Sequence, residues 1–296
     1  MITINETLPK FSERLLFSHK GDYGVVLGIG GSLGMSGAVA LAGRAALLVG
    51  AGLSRLAVPL PILNTVAGFY PELTTIPLPS DRNGKILFNA IDKLIKSAES
   101  VTSIFIGTGL GRSAGLDRLV PKFLCRLDSC KKLKGVVVDA DALNALNGQM
   151  PIFMRKNIIL TPHSAEFNRL LKSTGLCECP SEDNQADRIN VTKNFANSYN
   201  VVMVLKGHET IVTDGNIVFI NSESGNPGMA TGGSGDILTG IIAGLIARGF
   251  DIFEAAKLGV YLHGFAGDIA SKKYGIESVI ASYILKSIPE AILTMK

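Results

Sequence analysis

Gly233-Ser234-Gly235-Asp236 puts three small residues and a carboxylate directly ahead of an apolar run, Ile237-Leu238-Thr239-Gly240. Glycines before a helix let backbone N–H groups converge on one point. Together with the helix dipole they make an anion hole suited to phosphate. Asp236 then has two readings. It caps the helix, or it acts as a general base beside the anion hole; the residue types leave both open. The loop begins upstream, at Asn226-Pro227-Gly228-Met229-Ala230-Thr231-Gly232, and runs unbroken into Gly233.

Four further segments carry groups that can bind or catalyse: Gly107-Thr108-Gly109-Leu110-Gly111, Asp139-Ala140-Asp141, Thr161-Pro162-His163-Ser164-Ala165-Glu166 and Lys206-Gly207-His208-Glu209-Thr210. A Gly/Ser loop at residues 30–37 resembles them in placement. Standard nucleotide motifs fail. The 30–37 loop has no Lys and is not a P-loop. Gly28 and Gly30 would need Gly at Leu33 to complete a dinucleotide fingerprint, and Gly107 and Gly109 meet Arg112 where the last Gly belongs. Cys125, Cys130, Cys177 and Cys179 form no paired C-x-x-C set, which argues against structural zinc.

The elements that must hold these groups follow from apolar patterning. Residues 24–30, 53–58, 104–106, 135–138, 157–160 and 201–205 are short Val/Ile/Leu-rich runs expected to be strands. Helical patterns lie between most of them, including 38–49. Strands alternating with helices indicate an α/β fold with a largely parallel sheet. Residues 210–212 and 217–220 around Asp214-Gly215 read as a hairpin adding an antiparallel edge. Helices are expected at 236–247, 253–274 and 278–288, and residues 1–20 as an irregular surface arm. In such a sheet, ligands bind beyond the carboxyl ends of the strands, so the polar segments gather on one rim. No repeat or long linker divides residues 1–296, and one domain is expected.

The 296-residue chain is 47% hydrophobic, lacks Trp and carries a net charge of +4. That composition suits a buried parallel sheet. The dispersed charge gives no nucleic-acid footprint, although it favours an anionic substrate. No signal peptide opens the chain and its apolar runs fall short of a membrane span, so a cytoplasmic protein is expected.

Seven ordered segments together resemble one family. They are Lys20-Gly21-Asp22-Tyr23-Gly24, residues 30–38, 107–111, 138–144 and 161–166, Leu205-Lys206-Gly207, and residues 226–236. Gly233-Ser234-Gly235-Asp236 before a late apolar helix resembles the ribokinase-like superfamily. The full set resembles its ADP- or ATP-dependent NAD(P)H-hydrate dehydratases. The resemblance implies a ribokinase-like α/β fold and repair of the hydrated nicotinamide cofactors NADHX and NADPHX. The nucleotide would phosphorylate the hydroxyl of the S-form hydrate. Phosphate would then leave, giving NAD(P)H with AMP (from ADP) or ADP (from ATP). Hydroxide is a poor leaving group and phosphate a good one, so a kinase-like site can run a net dehydration.

The same resemblance implies residue roles. Asp236 would take the hydroxyl proton, and Gly233, Ser234 and Gly235 would stabilise the transferring phosphoryl group. Lys206, Gly207, His208, Glu209, Thr210 and Gly235 would contact the AMP part of ADP or ATP. Ala38, Gly109, His163 and Asp236 would contact the hydrated dinucleotide. Mg2+ would accompany the phosphates, with Asp139 and Asp141 as outer-sphere partners or, equally, as helix cap and turn. Many relatives carry Gly where this chain has Ser164 or Ala165, which leaves details of that loop open. Residues 1–20 are too few for the epimerase domain that many bacterial relatives fuse ahead, so a separate epimerase is expected, along with a homotetramer. Two other functions share parts of the pattern. A ribokinase-like vitamin-precursor kinase has the same centre, but the 30–38 and 161–166 segments fit the dehydratases better. A non-catalytic nucleotide-binding protein would have no use for Asp236.

Overall fold

The structure, a computed structural model, describes residues 3–4, 8–146, 149–150, 157–175 and 184–295. Ten strands form one sheet: β1 (Thr3–Ile4), β2 (Val25–Ile29), β3 (Leu53–Pro59), β4 (Thr74–Leu78), β5 (Ser103–Ile106), β6 (Gly135–Val138), β7 (Ile158–Leu160), β8 (Val202–Leu205), β9 (Thr210–Thr213) and β10 (Ile217–Asn221). Their order is β1-β10-β9-β8-β7-β6-β5-β2-β3-β4. Every pairing is parallel except β8 with β9 and β9 with β10. The chain winds outward from β2 to β4, then returns to place β5 beside β2 and winds the other way. That reversal creates a crevice between β2 and β5.

Alternation along each strand feeds two cores. Ile104 and Ile106 of β5 join one, with α3 (Ile91–Ala98), α4 (Ala114–Arg126), α5 (Ala140–Ala145), α6 (Ser164–Thr174) and α7 (Gln185–Tyr199). Phe105 points to the other, with α1 (Ser36–Leu48), α2 (Leu63–Phe69), α8 (Ser234–Ala247), α9 (Ile252–Tyr274) and α10 (Ala281–Thr294). The expected α/β architecture, a mostly parallel sheet between two helical layers, is therefore present. Helix α8 is buried on every side from Ile237 to Ala247, as an all-apolar helix must be. A Cβ at Gly240 would lie 2.0 Å from the Ala42 carbonyl oxygen, so glycine lets the α8 and α1 backbones touch. Ser103 Oγ donates to the Ala243 carbonyl at 2.7 Å and ties α8 to the sheet.

Several elements differ from expectation. β4 was unreadable because it contains Pro77, which is tolerated at this sheet edge. The hairpin β9–β10 forms, but β1 pairs alongside β10 and takes the edge instead. The N-terminal arm is anchored beyond that strand: Phe11 packs edge-on against Phe250, and Arg248 Nη2 donates to the Ser12 carbonyl at 3.1 Å. The last helix starts three residues later than expected and runs through Pro289 to Thr294. Cys125 and Cys130 are free thiols, while Cys177 and Cys179 lie outside the described residues. No helix among the described residues is long and apolar enough to cross a membrane.

Candidate active site

Helix α8 begins at Ser234, and its N-cap is Gly233 in a left-handed conformation (φ 90°) with no side-chain cap. Asp236 is the third residue of the helix. It is not the cap; it is the acidic residue of the first turn. Small residues at 233 to 235 leave the first turn unshielded, and its residues line a cavity of about 1210 Å³. The cavity is lined by the start of α8, the turn at residues 206–210 and the loop from Gly225, together with Asp139, His163 and His263.

Asp139 ends β6. At the N-cap position of α5 its side chain makes no capping bond. It turns instead to accept from Lys206 Nζ at 2.8 Å and from Thr239 Oγ1 at 2.7 Å. Thr239 lies one helical turn below Asp236, so this bond locks α8 against β6. The approach of β5 to β6 is equally tight: a Cβ at Gly107 would sit 1.7 Å from the Asp139 carbonyl oxygen. Asp141 accepts the Gly111 N–H at 2.7 Å, so it fixes the glycine turn after β5.

Lys206 follows β8, and its N–H donates to the Pro162 carbonyl at 2.9 Å. Its ammonium also lies 4.0 Å from Glu166, and it stands 3.4 Å from where a Cβ on Gly235 would be. Burial alone would lower the Lys206 pKa. The charges of Asp139 and Glu166 outweigh burial and raise it, keeping the ammonium charged beside the anion hole. The turn after Lys206 is held from behind, since Gln185 Nε2 donates to the Glu209 carbonyl at 3.1 Å.

Asp236 is half-buried and its pKa is pushed up to about 7. Burial is the main cause. The Asp139 charge adds to it, Lys206 pulls against it, and Asp141 adds further. A carboxyl titrating near neutrality is suited to accept a hydroxyl proton and give it up again.

His163 caps α6. Its Nδ1 accepts the Ala165 N–H at 3.2 Å, so in the neutral ring Nε2 carries the hydrogen, facing Glu166 Oε1 at 3.4 Å. Glu166 also accepts the His163 N–H at 2.9 Å, completing a capping box. The ring remains half exposed at 52% on the cavity wall. Ala38 and Gly109 do not line this cavity. They pack together at the β2/β5 crevice, where a Cβ on Gly109 would fall 3.0 Å from Ala38 Cβ. Ser32 Oγ joins the two loops there by donating to the Gly109 carbonyl at 2.8 Å.

The sequence profile of the NAD(P)H-hydrate dehydratase family matches residues 26–290. The chain belongs to the NAD(P)H-hydrate dehydratase family. A bifunctional NAD(P)H-hydrate repair enzyme of Moorella thermoacetica is 40% identical over 275 residues, covering 92% of this chain and 49% of that protein. An ADP-dependent (S)-NAD(P)H-hydrate dehydratase of Neisseria meningitidis is 37% identical over 275 residues, covering 90% and 83%. The chain spans about half the length of the bifunctional relatives it matches. Among solved structures, a ribokinase-like superfamily protein of Enterococcus faecalis superposes with a TM-score of 0.79 at 27% identity, covering 96% of this chain and 91% of that one. An ADP/ATP-dependent NAD(P)H-hydrate dehydratase of Bacillus subtilis, co-crystallised with ATP/Mg2+, gives 0.75 at 26%, covering 97% and 95%. The fold of this dehydratase-family chain is thus ribokinase-like.

Two groups at the site escaped the sequence. His263 stands in the middle of α9, and its Nε2 lies 3.2 Å from Ser234 Oγ. Asp268, further along α9, accepts from the Gly225 N–H at 2.9 Å and Asn226 Nδ2 at 2.8 Å. Both sit in a long apolar pattern that reads as core helix, and nothing local in the sequence links them to a loop some 30 to 40 residues earlier.

Proposed function

We propose that this chain dehydrates the S-form of NAD(P)H hydrate at the expense of ADP or ATP. The observation that carries the proposal is Asp236. Its carboxyl, pushed up to about 7, stands at the open first turn of α8 beside the charged Lys206. The hydrate hydroxyl would lose its proton to Asp236 as its oxygen attacks the terminal phosphorus of the nucleotide. The bond to the departing AMP (from ADP) or ADP (from ATP) breaks, and the N–H groups of Gly235 and Asp236 take the charge on the phosphoryl oxygens, the Ser234 N–H being engaged with the Thr231 carbonyl at 3.3 Å. Phosphate then leaves with the C–O electron pair. Loss of a proton from the neighbouring ring carbon restores the double bond of NAD(P)H.

Lys206 through Thr210 are assigned to the nucleotide because they line the same cavity as the first turn of α8. His163, on the cavity wall, and Ala38 and Gly109, packed together at the β2/β5 crevice, are assigned to the dinucleotide by the family resemblance. Mg2+ fits as a companion of the nucleotide. Among the described residues no three His, Cys, Asp or Glu side chains are grouped to hold a metal. Asp139 already has both oxygens engaged. Phosphate oxygens and water would supply the metal ligands, with Asp141 reached through water, and the ion would neutralise phosphate charge. Residues 1–296 are proposed as one catalytic domain, working in the cytoplasm as a homotetramer.

Incubating the purified chain with hydrate plus ADP or ATP, and following the return of reduced-nicotinamide absorbance, tests this directly. Recovery with either nucleotide is the expected result. Phosphate transfer to a stable alcohol without recovery would make the protein a kinase, and nucleotide binding without any turnover would make it a binder. Lys206→Ala should weaken ADP and ATP binding about 10- to 100-fold by calorimetry, the worth of a charge-assisted hydrogen bond to phosphate. Unchanged affinity would take Lys206 out of the nucleotide site.

A further inference from the structure

The anion loop does not stand alone; helix α9 runs behind it and grips it at three points. Ser224 Oγ donates to the Tyr261 carbonyl at 2.9 Å, where a Cβ on Gly264 would collide with Ser224 Oγ at 2.4 Å. Asp268 accepts from the Gly225 N–H and from Asn226 Nδ2, while Asn226 Oδ1 accepts the Gly228 N–H at 3.1 Å. Between these anchors His263 meets Ser234, the first residue of α8, at 3.2 Å. The first two contacts fix the loop ahead of the anion hole. The third holds a hydroxyl at the mouth of the anion hole, and both its partners line the cavity.

We propose that His263 is a positioning residue: its Nε2–H holds the Ser234 oxygen so that the Ser234 hydroxyl proton points at the transferring phosphoryl group. The argument is one of proton count. Ser234 has a single O–H. Were Nε2 bare, it would take that proton, and the hydroxyl would present only lone pairs to an incoming anion. With Nε2 protonated, the imidazole donates to Ser234 and the hydroxyl is left with one direction in which to donate, toward phosphate. A neutral ring suffices for this. His263 is kept neutral across physiological pH, since burial, opposed by the ring's approach to the Ser234 backbone and helped by the Lys206 charge, pushes its pKa down to about 4. The role rests on the dehydratase reading, because it assigns Ser234 to the phosphoryl group.

The test is a double-mutant cycle read on hydrate turnover, with a tautomer measurement beside it. Ser234→Ala should lower kcat about 10²-fold, as loss of one preorganised donor does. His263→Ala should lower it about 10-fold with KM for the hydrate within twofold, and the double variant should fall no further than Ser234→Ala alone. His263→Gln, whose amide N–H can take the place of Nε2–H, should recover most of the His263→Ala loss. Ring 15N shifts of His263 in the wild-type protein should report the Nε2–H tautomer. Additive losses in the cycle, an unaffected Ser234→Ala, or an Nδ1–H tautomer would each overturn the proposal. If His263→Ala does not fold, the Gln variant, Ser234→Ala and the ring shifts still decide. Absence of wild-type turnover is a separate result, and it removes the dehydratase reading and this role together.

Discussion

Asp236→Asn should lose about 10²–10⁴ of hydrate turnover while the protein stays folded and binds nucleotide. The expectation rests on what the substitution leaves alone. Helix α8 is capped by Gly233, so no cap is lost at position 236. Asn matches Asp in volume, and Lys206 keeps its partner, because its 2.8 Å contact is with Asp139. The nucleotide wall is therefore intact, and calorimetry should return a near-wild-type ADP affinity. What disappears is a carboxyl beside the anion hole whose pKa lies near neutrality. Asp139 cannot stand in, since both its oxygens are committed to Lys206 and Thr239. Wild-type turnover in the variant would show that the hydroxyl proton goes elsewhere and would end the mechanism.

How far the sequence could be read follows from where the signals lie. Buried parallel strands announce themselves as short Val/Ile runs, so β2, β3 and β5 to β8 were legible, and the strand-end rule then gathered their loops on one rim. β4 was not legible because Pro77 and its two threonines break the apolar pattern. The local part of the site was equally legible: Gly233 to Asp236 and Lys206 to Thr210 are contiguous segments, and they do share one cavity. Ala38 and Gly109 came from the resemblance, and the fold places them at the adjoining crevice instead. What the sequence hid is the wiring between segments. Asp139 reads as a helix cap after a strand, yet it reaches across 67 residues to Lys206 and 100 to Thr239. The raised Asp236 pKa owes most to burial, and the Asp139 charge held in place by that wiring adds to it. His263 and Asp268 were hidden in the same way, as polar members of a helix whose remaining pattern is core.

The second large effect concerns stability against pH. An ordinary Asp titrates near 3.8, whereas Asp236 in the folded protein is pushed up to about 7. Between those values the folded protein holds a proton that the unfolded chain has released. Folding then binds protons, so stability falls as pH rises through this window. Below pH 4 both states are protonated and the cost is absent; above pH 7 both are ionised and the full cost of a half-buried carboxylate is in place. Asp236→Asn never ionises. The variant should therefore match the wild type at pH 4 and exceed it by about 3–5 kcal/mol at pH 8, measured by urea unfolding without nucleotide. A base that must lose its proton to work should also make kcat/KM rise through the same region, about pH 7. One carboxyl then sets both curves. A stability gap that stays constant from pH 4 to 8 would mean that Asp236 is not held protonated by the fold, and a rate profile still rising near 7 would then belong to another group.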